Sequence, residues 1–538
     1  MNLSILKQNI FLQSFIQCIK KVADYIIKWD LIIISILILS SSYLRFKNLN
    51  YSDYIGDEHK AFIELEAGQN LPDFLLSRRK GPMQFFVSYI PYLITHDFRN
   101  ELAERIPFAV ISVISVVVFY FMVKKITKCW LCAFLSSLIY LSNGFIVGFG
   151  RIVQYQNLNL LFSFLAIYFY SNLLDRKDKL LKLSMIGTMF WCLSFFSHWD
   201  AIFIIPVVLV IFIKFFLSKD ISREYKLKIL FYNLLLGCLI LLPFMIPYSF
   251  YQRNSDENLG YLFRRLGTGN HNNSVYEMYI DLYGPFVTLW FLIICGTLGS
   301  LFIKKSYMVT FWFLFGYGIF ELFVSKPGTH IYNFLIPVFI LSGVGLGSLI
   351  KIMPKKTLKI ITFIIVLIPI AFLYHQSYIL FVDHSKEYPW EQKKILNIDL
   401  DCGNSSNWCN KVQPYLNLTT KRYYYDYKGQ KLPLFGFPHK RYWNEVNEFI
   451  VNQNTLNSEN LGYATNEDKT VSEWYIKGIY MTTGNFYFLG IRRPGNFVED
   501  MSPPNKSETK VLVKEYKSEN DSTVVKIYRV YLPKSKLL

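Results

Sequence analysis

Long apolar segments constrain this chain more than any other feature of its sequence. A transmembrane helix needs about 20 mostly apolar residues. The sequence is 52% apolar and only 18% charged, whereas soluble domains carry about 25% charged residues. We therefore predict a polytopic α-helical membrane protein with eleven transmembrane helices, at 30–46, 105–123, 130–148, 157–174, 183–198, 201–217, 229–250, 282–303, 307–325, 331–350 and 359–382.

Basic residues are concentrated in every second loop between these spans, as at Lys124, Lys125 and Lys128. Cytoplasmic loops carry an excess of Lys and Arg. We therefore predict a multi-pass plasma-membrane protein in which residues 1–29 are cytoplasmic and form no cleaved signal peptide. The net charge of +18 indicates cationic loops at membrane lipid rather than nucleic-acid binding.

The composition changes after the last predicted span. Residues 30–382 form the predicted transmembrane domain, and residues 383–538 are polar, with turn signals such as Lys428-Gly429 and short β-rich runs at 423–425, 485–489, 511–513 and 524–532. An odd number of spans places this part outside, so we predict an extracytoplasmic α/β or α+β domain. Its Cys402 and Cys409 are expected to form a disulfide bond there, with two free thiols as the alternative.

The first outer loop, residues 47–104, is much longer than a connector requires. It holds the acid pair Asp57-Glu58, the basic residues Arg79 and Lys80, and an apolar stretch, Met83–Ile94, that we interpret as an interfacial helix. A carboxylate can accept a proton from an attacking hydroxyl, and cations can hold a phosphate. The alternative is a solvated loop with ordinary charges.

Two further outer edges carry polar residues at the entrances of spans. Arg151, Gln154 and Gln156 precede the fourth span, and polar groups there are costly unless they have partners or face a cavity. Before the tenth span stand Lys326, His330 and Tyr332, which could grip an anionic headgroup. The alternatives are headgroup anchoring for the first group and snorkelling with an aromatic belt for the second.

His59, His198 and His330 also lie at outer edges, where a His near an acid could bind a divalent metal, although no certain cofactor is predicted.

Taken together, the motifs of residues 30–380 resemble the GT-C membrane glycosyltransferases, in the branch of the protein O-mannosyltransferases and the bacterial lipid A aminoarabinose transferases. The matching motifs, in chain order, are Asp57-Glu58, Lys80-Gly81-Pro82, Ala103-Glu104-Arg105-Ile106-Pro107, Arg151 through Gln156, and Lys326 with Tyr332 and Pro337. Two positions depart from the pattern. Gln156 stands where many relatives have a second acid, and Arg79 stands where the aminoarabinose branch often has Glu.

The resemblance implies transfer of a sugar from a polyprenyl-phosphate donor to a hydroxyl of a glycan, lipid or protein acceptor, with inversion. It implies that Asp57 is the general base and that Glu58 orients the acceptor or the loop. It implies that Lys80 binds the lipid phosphate, with Arg79, Arg151, Lys326, His330 and Tyr332 as further candidates. Gln154 and Gln156 are the candidates for contact with the acceptor or the sugar. Neither the sugar, the acceptor nor the role of a metal follows from the sequence.

Two alternative functions remain open. A transporter or flippase of lipid-linked sugars with an accessory outer domain is the main one. Transporters usually have internal repeats and polar sites at the membrane midplane, and the sequence shows neither. A non-catalytic membrane receptor is the other, but it leaves the pairing of acids and cations in the first outer loop unexplained.

Overall fold

A computed structural model describes most of the chain, with gaps. The described residues are 29–175, 178–253, 255, 259–260, 263, 291–324, 328–384, 423–425, 431–433, 438, 440–492, 509–518 and 523–531. Lys326 lies outside the described residues, as do Cys402 and Cys409 with their predicted disulfide bond.

Helices make up most of the described residues before 384. They are α1 (Trp29–Phe46), α2 (Leu71–Ser77), α3 (Met83–Thr95), α4 (Glu101–Thr127), α5 (Trp130–Ser142), α6 (Gly144–Phe149), α7 (Gln156–Tyr170), α8 (Leu180–Ser197), α9 (Ile205–Leu217), α10 (Arg223–Arg253), α11 (Phe291–Leu301), α12 (Ile303–Phe323), α13 (Tyr332–Ile352) and α14 (Lys356–Phe381). Short 3₁₀ turns at Ser171–Leu174, Trp199–Ile204 and Gly328–Ile331 extend α7, α9 and α13.

Nine of these helical stretches in the described residues are long and apolar enough to cross a membrane, namely α1, α4, α7 to α10 and α12 to α14. The predicted polytopic membrane fold is confirmed, but the number of eleven spans is not. The predicted span 130–148 breaks at Asn143, whose side chain accepts a hydrogen bond from the Phe145 N–H and starts α6. Of the predicted span 282–303, the structure describes only α11 and the residues that follow it.

Helix α13 lies at the centre of the bundle and packs against α5, α11, α12 and α14. Its buried residues cover almost the whole circumference. The approach to α11 is very close, since a Cβ on Gly345 would lie 2.4 Å from the Cys295 carbonyl oxygen. Glycine at this position therefore permits the backbones to pack together.

The two ends of the bundle differ in the residues that meet there. At one end, Asp30 of α1 binds Tyr120 and Lys124 of α4 at 2.6 Å and 2.5 Å. Asp175 is paired with Lys125 and Lys128 at the same end. The other end holds the long first loop and the polar residues at the entrances of α7 and α13. These contacts join segments that the charge pattern predicts on the same side of the membrane. That this side faces the cytoplasm stays a prediction.

Helix α3 is the predicted interfacial helix. Phe85 and Val87 are buried against the protein, whereas Phe86, Ile90 and Ile94 are exposed. An exposed apolar face on a helix beside the spans is what contact with a membrane surface requires.

The C-terminal part forms a small mixed sheet with two helices. The strands are β1 (Tyr423–Tyr425), β2 (Lys431–Pro433), β3 (Gly462–Thr465), β4 (Phe486–Ile491), β5 (Thr509–Lys517) and β6 (Thr523–Tyr531), and the helices are α15 (Trp443–Leu456) and α16 (Lys469–Tyr475). Strands β1 and β2 pair with each other, antiparallel, in a separate two-stranded sheet. The other four form the mixed sheet in the order β3-β4-β6-β5, with β3 parallel to β4 and the other pairs antiparallel. All four predicted β-rich runs contain strands.

This part is packed onto the first loop. Trp443, Tyr463 and Tyr475 share one buried cluster with Tyr54 and Phe62 of the loop. Polar contacts reinforce the packing. The Tyr475 hydroxyl accepts from the Tyr54 N–H and donates to Glu101, both at 2.7 Å, and the Asp53 carboxylate accepts from the Arg441 N–H at 2.6 Å.

Candidate active site

The buried ion pair Glu58–Arg105 fixes the start of the first loop. The Arg105 guanidinium donates two hydrogen bonds of 2.9 Å to the Glu58 carboxylate, and both side chains are almost completely buried. Glu58 also accepts from the N–H groups of Ile55 and Val153. Four donors therefore satisfy one carboxylate, and they connect the loop to α4 and to the entrance of α7.

Asp57, next to Glu58 in sequence, points away from this buried pair. Its carboxylate is 46% exposed and lies 3.1 Å from Lys60 Nζ and 3.6 Å from Lys80 Nζ. Lys80 also donates to the Gln154 side chain at 3.1 Å. The structure thus brings together the predicted base, the predicted phosphate cation and one predicted acceptor or sugar contact.

The pKa values in this group follow from burial and charge. Burial raises the pKa of Asp57, but the charges of Lys80 and Lys60 outweigh this effect and lower it to about 2. Burial lowers the pKa of Lys80 to about 8, against the opposing effect of Asp57. The carboxylate is therefore ionised at neutral pH, while the ammonium group loses its proton within the mildly alkaline range.

The turn Lys80-Gly81-Pro82 brings Lys80 to the end of α8. A Cβ on Gly81 would lie 2.0 Å from the Phe196 carbonyl oxygen, so no larger residue fits without moving the backbone. The residues that follow α8 are His198 and Asp200, and they too belong to the site. Lys80 Nζ lies 6.0 Å from the centre of the Tyr155 ring, which stacks on the His198 ring at 4.0 Å.

Two predicted phosphate-binding candidates, His330 and Tyr332, meet at Asp200. The Tyr332 hydroxyl donates to the Asp200 carboxylate at 2.6 Å, and His330 Nδ1 lies 2.8 Å from the same oxygen. Sequence reasoning missed Asp200 as a functional residue. The available signal was the position of an acid and a histidine, Ser197-His198-Trp199-Asp200, at the junction of two short apolar segments.

Other predicted residues are placed differently from our expectation. Arg151 is buried, and its guanidinium donates to the carbonyl groups at the end of α1 (Leu44, Arg45, Lys47 and Asn48). The prediction that Arg151 binds the lipid phosphate is therefore corrected, because these carbonyl groups occupy its donors. Glu58 is too deeply buried to contact an acceptor, so only its predicted role in orienting the loop is compatible with the structure.

The remaining described candidates are Arg79, Gln154 and Gln156. Arg79 is exposed, and its carbonyl group accepts from the Tyr248 hydroxyl at 3.2 Å. Gln154 and Gln156 are both 1% exposed. Gln154 Nε2 and Gln156 Oε1 have no hydrogen-bond partner among the described residues. Buried polar atoms normally find partners, so these two amides are compatible with a polar cavity that receives a ligand.

A polar cleft of about 340 Å³ lies where the first loop faces the C-terminal part. His59, two residues after Asp57, is one wall, and Trp474 of α16 is another. The remaining lining residues are Glu64, Arg99, Thr470 and Glu473. Acids, a cation and an aromatic ring are the side chains that bind a polyhydroxylated molecule, through hydrogen bonds and stacking.

The solved structures that this chain is similar to share little sequence identity with it. ArnT from Cupriavidus metallidurans in the apo state is 14% identical over 62% of this chain, with a TM-score of 0.41. The match spans 61% of the ArnT chain. The oligosaccharyltransferase of Archaeoglobus fulgidus is 12% identical over 83% of this chain and 63% of its own, with a TM-score of 0.48. No curated protein sequence matches the chain significantly.

The sequence itself matches one family model. Residues 79–247 match the model described as dolichyl-phosphate-mannose-protein mannosyltransferase. The matched region begins at Arg79 and includes Lys80, Gln154 and the His198–Asp200 junction. Over this part of the chain, the match confirms the predicted resemblance to the GT-C membrane glycosyltransferases on the side of the protein O-mannosyltransferases.

Proposed function

We propose that this protein transfers a sugar from a polyprenyl-phosphate donor to a hydroxyl acceptor at the outer face of the membrane. The observation that carries the proposal is the contact of Asp57 with Lys80 at 3.6 Å, at one end of the helical bundle. A carboxylate and a partly buried ammonium group in one site supply the base for the acceptor and the cation for the leaving phosphate. The matched family model, which is named for a dolichyl-phosphate sugar, supports the same class of donor.

The proposed reaction is a single displacement. The acceptor oxygen attacks the anomeric carbon and gives its proton to Asp57. The bond between that carbon and the phosphate oxygen breaks, and the electron pair leaves with the phosphate, whose charge Lys80 stabilises. Attack opposite to the leaving group inverts the anomeric configuration.

Donor binding also prepares the base. In the free protein the charge of Lys80 holds the pKa of Asp57 down. A donor phosphate that pairs with Lys80 neutralises much of this charge, so the pKa of Asp57 rises toward its ordinary value. A base of higher pKa accepts a proton more readily. Asp57 is therefore activated only when the donor is in place.

The acceptor is proposed to enter through the cleft between the first loop and residues 443–531. His59 forms part of this cleft and is two residues from Asp57. In this arrangement residues 30–382 perform the chemistry, and residues 383–538 position the acceptor. The lipid-linked donor enters sideways from the membrane.

Transfer and transport are separated by one experiment. The purified chain is placed in liposomes with a labelled polyprenyl-phosphate sugar and a soluble mixture of glycan or peptide acceptors. Label that becomes covalently attached to an acceptor supports transfer. Label that only crosses the bilayer, with no acceptor modified, would establish the flippase alternative instead.

Loss of the Lys80 charge is expected to impair donor use. Lys80→Ala removes a charged hydrogen bond, worth about 1.5–3 kcal/mol, so kcat/KM for the donor should fall about 10- to 150-fold. Lys80→Arg should retain part of the activity because the role is charge. Steady-state rates at varied donor concentration measure both. An unchanged kcat/KM in Lys80→Ala would mean that Lys80 does not bind the donor phosphate and that another cation of the loop does.

The pH dependence should report the same group. Lys80 is charged below its pKa of about 8 and neutral above it, so kcat/KM for the donor should decline as the pH rises through about 8. Arginine keeps its proton in proteins, so Lys80→Arg should move this decline to higher pH. An identical profile in the two proteins would exclude Lys80 as the titrating group.

Trp474 is expected to act on the acceptor rather than the donor. Stacking on an aromatic ring contributes about 0.5–1.5 kcal/mol, so Trp474→Ala should raise KM for the acceptor about 2- to 12-fold and leave KM for the donor unchanged. Trp474→Phe is the matched control, because it keeps an aromatic ring against Phe62, which now stacks on Trp474 at 5.3 Å. Equal effects on the KM of both substrates would argue against an acceptor cleft.

A further inference from the structure

The C-terminal end of α10 is hydrogen-bonded to the segment between α2 and the active-site lysine. Gln252 Nε2 donates to the Leu76 carbonyl oxygen at 2.8 Å and to the Arg78 carbonyl oxygen at 3.3 Å. The Tyr248 hydroxyl, one turn earlier in α10, donates to the Arg79 carbonyl oxygen at 3.2 Å. One helix end therefore holds three of the four carbonyl groups that immediately precede this lysine.

Gln252 completes the C-terminal end of α2. This helix ends at Ser77, and the last four carbonyl groups of an α-helix have no donor within the helix. Arg78 has extended backbone angles, φ −84° and ψ 141°, so the chain leaves the helix there. The Gln252 amide supplies a donor at this point, and it therefore helps to fix the path of the chain after α2.

Aromatic packing accompanies these hydrogen bonds. Phe244 of α10 packs against a buried cluster of the first loop, formed by Phe74, Leu75 and Phe85. The Tyr248 ring stacks on the Phe244 ring, with centres 5.4 Å apart. The contact between α10 and the first loop is therefore a packed interface with three hydrogen bonds at its end.

The rest of α10 is packed loosely against the protein. Only four of its 31 residues are buried, namely Lys226, Ile229, Asn233 and Tyr248. Pro243 and Pro247 lie inside the helix, and each lacks the N–H that would donate to the residue four positions earlier. Because prolines are frequent sites of helix kinks, residues 243–253 can tilt separately from the first part of α10.

Lys80 lies between this contact and a second one. On its C-terminal side, Gly81 approaches α8 so closely that a Cβ would lie 2.0 Å from the Phe196 carbonyl oxygen. Between the two contacts, Lys80 Nζ reaches Asp57 at 3.6 Å and Gln154 at 3.1 Å. Misplacement of a reacting group by about 1 Å can cost about 100-fold in rate, so both contacts bear on the chemistry.

We propose that Gln252 and Tyr248 are positioning residues that hold Lys80 in the active site. Each acts through backbone carbonyl groups before Lys80 and not through contact with a substrate. When residues 243–253 tilt away, these carbonyl groups lose their donors, and Lys80 moves from Asp57 toward water. The kinetic consequence rests on the proposed function, whereas the placement of Lys80 does not.

Acylation of Lys80 measures its position without any turnover. The full chain in detergent is treated with an amine-acylating reagent at a series of pH values, and modification of Lys80 is followed by peptide mass spectrometry. Only the neutral amine reacts, and burial lowers the pKa of Lys80 to about 8, so the labelling rate should rise through about pH 8. In Gln252→Met, which keeps the length of the side chain and removes its hydrogen bonds, Lys80 gains access to water. The midpoint should then rise by at least about one pH unit, toward the ordinary lysine value of about 10.4.

The shift reports the position of Lys80 because its charged surroundings stay the same. The charged or titratable groups that act on it are Asp57, Lys60, Arg79 and His198. Neither Gln252→Met nor Tyr248→Phe changes any of them.

Two further variants complete the labelling experiment. Tyr248→Phe keeps the ring on Phe244 and removes one hydrogen bond, so it should shift the midpoint in the same direction by a smaller amount. It also answers the question if Gln252→Met fails to fold. Ser249→Ala is the matched control and should keep the native midpoint, because Ser249 is exposed and its hydroxyl donates to the Met245 carbonyl group within α10. A native midpoint in Tyr248→Phe and in folded Gln252→Met would overturn the proposal.

Kinetics show whether Gln252 acts through Lys80. Gln252→Met should lower kcat/KM for the donor about 2- to 12-fold for each hydrogen bond lost and leave KM for the acceptor unchanged. In a Lys80→Ala background the same substitution should have no further effect, because residues that act through one another couple. A loss of equal size in both backgrounds would indicate general structural damage and overturn the positioning role.

The readouts separate this proposal from the proposed function. A chain that transfers no sugar, but whose Gln252→Met variant shows the shifted labelling midpoint, keeps the positioning of Lys80 and loses the function. A chain that transfers sugar, with a native midpoint in both variants, keeps the function and loses the positioning residues.

Discussion

Asp57→Asn is expected to lower sugar transfer by at least about a hundredfold, because general-base catalysis typically contributes about 10²–10⁴-fold. Asparagine keeps the size of the side chain and removes the proton acceptor. Asp57 is 46% exposed and its side chain pairs with Lys60 and Lys80, so the fold should not depend on it. Binding of the polyprenyl-phosphate donor should persist, since Lys80 remains.

The measurement uses a labelled lipid-linked sugar and compares initial rates per folded molecule. Asp73→Asn is the matched control, because Asp73 is an exposed acid of the same loop, in the first turn of α2. Its rate should equal that of the native protein. Normal transfer by Asp57→Asn would remove the catalytic assignment and leave the GT-C resemblance intact.

Glu58→Gln should act on stability instead. Removing one partner of a buried ion pair costs about 3–5 kcal/mol, because the remaining charge is left without compensation. Here the remaining charge is Arg105, whose side chain is 1% exposed. Two backbone N–H groups, of Ile55 and Val153, also depend on the carboxylate. We therefore expect a lower unfolding temperature and a poor yield of folded protein.

Thermal unfolding in detergent, followed with a conformational probe, checks this expectation. Combining Glu58→Gln with Arg105→Met should cost less than the sum of the two single changes, because residues in one ion pair couple. Asp57→Asn serves as the neighbouring control with native stability. Transfer per folded molecule should fall less in Glu58→Gln than in Asp57→Asn. The reverse order, with a stable Glu58→Gln protein, would exchange the roles of the two acids.

The different surroundings of these two acids, one half-exposed and one buried, were predictable from the sequence, because adjacent side chains point in different directions. Their catalytic roles stay predictions. The apolar runs predicted eleven spans, and nine of these coincide with helical stretches of sufficient length among the described residues. Such predictions succeed because they depend on local pattern. The β-rich runs after residue 420 succeeded for the same reason.

The failures depended on tertiary contacts. Arg151 looked like a cation at a span entrance, but its guanidinium satisfies carbonyl groups at the end of α1, which is more than 100 residues earlier in the chain. Asp200 looked like a charge at the edge of a short span. Its contacts with His330 and Tyr332 form only when α13 packs beside it, and no local sequence pattern predicts them.

The hydrogen bonds between Tyr475 and the first loop have a consequence for the design of chimeric proteins. Its hydroxyl joins the Tyr54 backbone to Glu101, and the nearby Arg441 N–H is held by Asp53. If residues 383–538 alone were exchanged for those of another protein to change the acceptor, these first-loop residues would lose their hydrogen-bond partners. The transferable unit is the C-terminal part together with the loop of residues 52–101, which also carries Asp57 and Lys80. Acceptor preference and catalytic loop are therefore expected to be inherited as one piece.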